Sequence, residues 1–178
     1  MSPQAAVPGG GSHQAKVLDE IFASRNDNDP RLDTELRHLS PEVKRELEAK
    51  YARLPGEKRN ERGTIAFLIG RDLATEEDAR FLKSVLEEPP CLSLADCHSA
   101  GNAPSDPHSD LGQDLTLAYP QVVAIQMLHE HTPKPDGGQV SPLTQAAFDA
   151  LKAGTQSKVP MVAKKASEAL TDLQGRGN

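Results

Sequence analysis

From Val43 to Leu54, apolar side chains recur at spacings of four, four and three (Val43, Leu47, Tyr51, Leu54), the period that lines one face of an α-helix. Ser40-Pro41-Glu42 stands just ahead of this stripe and supplies a capping hydroxyl, a proline tolerated at the first helical position and an early acid. The pattern predicts a helix over 41–54. Ser12 heads a second helix with Ala15, Leu18, Ile21 and Phe22 on its inner face, ended by the polar run after Arg25. Asp29-Pro30 restarts the chain and predicts a short helix through Leu32 and Leu36. Thr75 heads another, with acids in its first turn and Leu82, Val85 and Leu86 facing inward until Pro89-Pro90 stops it.

The run Ile65 to Ile69, flanked by Gly63 and Gly70, is compatible with a buried strand or a buried helix. A helix is the better reading, because no alternating partner strand is visible elsewhere and Gly70 fits a C-terminal cap. Further along, "LAYPQVVAIQMLHEH" reads as a buried helix with Pro120 in its first turn. His129 and His131 at its end complement the helix dipole. Ser141-Pro142 opens a helix carrying Leu143, Ala147 and Leu151 that closes at Gly154, and a last helix runs through Pro160, Val162, Ala166 and Leu170. The expected architecture is all-α, with about seven or eight helices in irregular antiparallel pairs. Residues 1–12 form a flexible tail, and 13–175 a single helical domain interrupted by a long Pro/Ser/Gly/Asp connection at 89–115.

"LAYPQVVAIQML" and "KVPMVAKKASEAL" both place a proline early in a helix with Val two residues later, and Pro120 and Pro160 lie 40 residues apart. This period and the closing Ala-Leu pattern of "VPMVAKKASEALTDL" resemble HEAT-like (armadillo-type) helical repeats, clearest over 117–173. The helices before residue 89 fit the pattern loosely, and the 89–115 insertion breaks the period. The resemblance implies recognition of a protein partner on a surface of successive helices, and it carries no shared catalytic residues.

Composition narrows the partners. Aromatics are 3% of the chain, so the core must be aliphatic, and stacking platforms for single-stranded nucleic acid are lacking. The net charge of -6, without a basic block, argues against nucleic acid altogether. The longest purely apolar run, Ile65 to Ile69, is far too short to span a bilayer. The opening "MSPQAAVPGGGSHQ" resembles the tether that follows a cleaved leader, which favours an extracytoplasmic location over a cytoplasmic one. Residues 72–114 carry ten acids against Arg80 and Lys83, whereas Arg53, Lys58, Arg59 and Arg62 cluster near one helix junction. That polarity predicts an acidic loop able to steer a basic partner, or simply a solvated surface.

Candidate chemistry concentrates in the same loop. Cys91 and Cys97 are separated by six residues, a spacing that allows a small disulfide ring and equally allows two unrelated thiols. Cys97, His98 and His108 could approach zinc, although the paired ligand groups of structural zinc sites are missing. Asp96, His98, Asp106, His108 and Asp110 are the candidate partner-binding residues. No nucleophile elbow, H-E-x-x-H, phosphate loop or dinucleotide fingerprint occurs, so neither an enzyme nor a cofactor is expected. The sequence thus points to a non-catalytic protein-interaction or scaffolding domain. The alternative is an exported domain whose Cys91/Cys97 loop binds metal or cycles its thiols.

Overall fold

The computed structural model describes residues 11–99, 110–133 and 139–175. Over these the chain is all-helical: α1 (His13–Ser24), α2 (Pro41–Arg53), α3 (Arg59–Arg71), α4 (Glu76–Leu86), α5 (Asp110–Leu117), α6 (Tyr119–His131), α7 (Pro142–Gly154) and α8 (Pro160–Gly175). The capping residues read from sequence act as caps. The hydroxyls of Ser12, Ser40 and Ser141 each accept a backbone N–H three residues on. Thr75 forms a full capping box with Asp78.

The stripe on α2 is buried as its spacing requires, with Val43, Leu47 and Tyr51 facing inward and Leu47 fully enclosed. Aliphatic residues from six other helices complete the core, among them Leu18, Leu68, Leu82, Leu128, Leu151 and Val162. Each fully buried side chain of this size contributes about 1.5–3 kcal/mol. The Ile65–Ile69 run is a buried helical segment, as expected.

The helices stack in a regular order. Helix α3 packs on α6 and α4 on α7, so the α3/α4 pair lies against the α6/α7 pair. Helix α8 then packs on both α6 and α7. No helix among the described residues is long and apolar enough to cross a membrane.

Four expectations need correction. The segment after Asp29 makes only a 3₁₀ turn, Pro30–Leu32. Leu36 is nevertheless fully buried, and its carbonyl accepts from the Arg71 guanidinium at 2.9 Å, so a cation on α3 orders a stretch that helix propensity does not. Gly70 is not a cap: it lies inside α3, and a Cβ there would come within 2.4 Å of the Met127 Cβ on α6. Glycine is required because the two helices approach too closely for any side chain. The tail reading ends too late, since Ser12 is fixed to α2 through Glu46, whose Oε2 accepts from its amide at 3.0 Å and its hydroxyl at 2.7 Å. Helix α5 begins at Asp110, within the connection expected to run to 115.

The acidity of 72–114 is partly offset in three dimensions, by Lys44 and Arg62 from outside the segment. Lys44 on α2 donates to Asp78 Oδ2 at 2.9 Å and to the Asp72 carbonyl at 2.5 Å. Asp78 Oδ2 also accepts the N–H groups of Ala74 and Thr75, each at 2.9 Å, so this one oxygen takes three donors. Glu76 pairs with Arg80, Glu87 with Lys83 and Glu88 with Arg62. His129 does more than complement a dipole, for its Nε2 lies 2.6 Å from Asp172 Oδ2 and links α6 to α8.

Candidate functional site

The feature that stands out from this helical frame is the segment between α4 and α5. Pro89 and Pro90 deny the chain a further helical turn, and the following residues close into a ring in which the structure brings the Cys91 and Cys97 sulfurs to bonding distance. Of the two alternatives open from spacing alone, the disulfide is the one the fold adopts. The Leu92 amide donates to the Cys97 carbonyl at 3.1 Å across the base of the ring. Inside it, Ser93 and Asp96 bond to one another, with the Ser93 hydroxyl donating to the Asp96 carbonyl at 2.8 Å.

The ring is also clamped from outside by the α2–α3 junction. Arg59, at the start of α3, donates through Nη2 to the carbonyls of Ser93 and Leu94 at 3.0 and 2.8 Å. Glu57 accepts the Cys97 amide at 2.7 Å, and this bond holds the Glu57 carboxyl below its ordinary range. Gly56 makes the approach possible, because a Cβ there would lie 2.8 Å from the Cys97 sulfur. The basic cluster noted in the sequence is therefore not a free patch: Arg59 grips the ring and Arg62 pairs with Glu88.

Arg62 and Glu88 form the polar wall beside the ring. The Arg62 Nη2 lies 2.5 Å from Glu88 Oε1, and its guanidinium stacks over the Tyr51 ring at 4.2 Å from the centroid. Burial pushes the Tyr51 phenol well above its ordinary value, keeping it neutral. Desolvation also raises the Glu88 carboxyl, against the opposing pull of Arg62. Gln121 on α6 donates to the Glu88 carbonyl at 3.2 Å and so joins the wall to the helical stack.

Between the ring, the wall and the start of α6 lies a cavity of about 510 Å³. Arg59, Arg62, Glu88, His98 and Gln121 supply its polar lining, while Pro89, Pro90, Leu92, Leu117 and Pro120 make the rest largely apolar. Volumes of roughly 300–1,000 Å³ are typical of small-molecule pockets.

Of the candidates read from sequence, Cys91, Cys97, Asp96 and His98 share this ring and its edge. Asp96 and His98 are exposed, and the Asp96 carboxylate accepts the His98 amide at 2.8 Å. Asp110 opens α5, and Asp106 and His108 lie outside the described residues. The proposed zinc set loses Cys97, whose sulfur is bonded to Cys91 and is no longer a thiolate ligand. No cluster of three or more potential metal ligands occurs among the described residues. Sequence reasoning missed Glu57, Arg59 and Gln121 as parts of the site. Their only signal was the unexplained cluster of cations at the α2–α3 junction. Compared with known proteins, the chain matches no family model, no curated protein and no solved structure.

Proposed function

We propose that this chain is a non-catalytic protein-interaction module that presents the Cys91–Cys97 ring as a rigid apolar knob to a partner protein. The observation that carries this reading is the exposure of Leu92 (49%) and Leu94 (51%) on a ring held by a covalent bond and three hydrogen bonds to Glu57 and Arg59. A scattered exposed leucine needs no explanation. Two on one immobilised ring are different, since their burial against a partner gains hydrophobic free energy with little conformational entropy left to lose. The exposed Asp96 beside them suits a partner surface with an apolar cleft and a basic rim.

The stacking of α3/α4 on α6/α7, continued by α8, supports the HEAT-like reading, in which successive helix pairs form a scaffold and loops between them engage partners. The test is quantitative affinity capture from native extract with the wild-type chain, a Leu92→Ser/Leu94→Ser double variant and a Val140→Ser control at another exposed apolar position. The ring variant is expected to keep the helical circular dichroism and lose specific partners that the control retains. Equal capture by all three would remove the ring from the interface.

A further inference from the structure

Four charged side chains are buried among the described residues: Asp29, Lys44, Arg59 and Asp78. Asp29 is paired with Arg31 at 2.9 Å, and Lys44 with Asp78 at 2.9 Å. Arg59, only 8% exposed, meets no carboxylate within ion-pairing distance among the described residues. Its contacts are the carbonyls of Glu57, Ser93 and Leu94, which satisfy three N–H groups but bring no net charge, and its Nε is buried without a partner. Burying a cation in this way is costly unless a counter-charge completes the environment.

The surroundings say what that counter-charge would be carried on. Arg59 lines the cavity, whose other cation, Arg62, is already matched by Glu88. One positive charge is left over in a cavity whose remaining polar lining is His98 and Gln121 and whose apolar lining includes Pro89, Pro90, Leu92, Leu117 and Pro120. We propose that the cavity is a binding site for a monocarboxylate on an apolar body, with the carboxylate next to Arg59 and the body along these prolines and leucines. A second negative charge on the ligand would face Glu88, and an ammonium would face Arg59, so both are disfavoured. The same chemistry is offered by a free aliphatic acid and by the C-terminal carboxylate of an apolar peptide. This site shares Leu92 with the exposed face of the ring but not Leu94, and it rests on Arg59, which is not part of the exposed knob.

The proposal is tested by calorimetric titration of the intact chain with octanoate and with octanamide, which has the same shape without the charge. Octanoate is expected to saturate the protein, and octanamide to bind roughly tenfold more weakly or worse. Arg59→Gln should bring octanoate down to the octanamide level. Leu117→Trp, which fills the cavity from α5 without touching the bonds of Arg59, should weaken octanoate by a similar factor. If Arg59→Gln loses its helical circular dichroism, the Leu117→Trp variant and the octanamide comparison decide. N-acetyl-Ala-Ala-Leu, as free acid and as amide, separates the two sources: a preference for this acid over octanoate assigns chain termini, and the reverse assigns free acids. Equal affinity for octanoate and octanamide, undiminished octanoate binding in either variant, or failure of both acids to saturate by about 10 mM would overturn the site.

Discussion

The two ends of α4 both bury charge, and they do so differently. At its start, Lys44 and Asp78 form a closed set: the lysine reaches Asp78 and the Asp72 carbonyl, and Asp78 takes two backbone amides as well. Just beyond its other end, Arg62 pairs with a Glu88 that is still partly exposed, and neighbouring Arg59 pairs with no acid among the described residues. The first cluster is complete within the chain and is explained by the fold it joins. The second is incomplete, borders a cavity and sits under an exposed ring. Three of the buried polar atoms left without a partner among the described residues, Tyr51 Oη, Arg59 Nε and Arg62 Nε, belong to this second region, and it is there that a ligand or partner has something to complete.

The largest effect is expected from Leu47→Asp, which places a carboxylate in the fully enclosed core beneath both clusters. It should abolish the cooperative helical transition, and a native-like spectrum in this variant would refute the core assignment. Lys44→Ala should cost about 3–5 kcal/mol in urea unfolding, because it strands a carboxylate that is 2% exposed. A loss below about 1 kcal/mol would mean that the amides of Ala74 and Thr75 suffice alone. Replacing both cysteines by serine should cost about 2 kcal/mol, the chain-entropy value for so short a ring, while leaving helical content unchanged.

The smallest effect concerns pH. The folded-state value of Glu88 is raised, so its favourable contribution belongs to the protonated form: it is present below the ordinary carboxyl value of 4.5 and fades as pH rises through the folded value. Glu88→Gln should therefore gain in melting temperature relative to wild type as pH rises above the ordinary carboxyl value. A widening deficit over the same range would show that Arg62 outweighs desolvation.

What was legible in the sequence was whatever neighbours along the chain decide. Ser12, Ser40, Thr75 and Ser141 could be read as caps because each satisfies an amide only three residues away. The stripe of Val43, Leu47 and Tyr51 was legible because period alone places it on one face. Gly70 was misread for the opposite reason, its cause being Met127 on another helix. The acidic segment misled in the same way, since Lys44 and Arg62, which neutralise two of its acids, lie outside it. In the candidate site the cysteine spacing allowed a ring without deciding it. The clamp by Glu57 and Arg59 joins residues 34 to 40 positions apart and leaves no local pattern.

Gly63 and Gly70 stand two turns apart on α3, opposite Tyr119 and Met127 of α6. At both places it is a missing methyl group that fixes how near the two rods come to rest. An alanine at either would act as a wedge, and because α6 also bears on α8, its thickness would be passed down the stack to the far end of the protein.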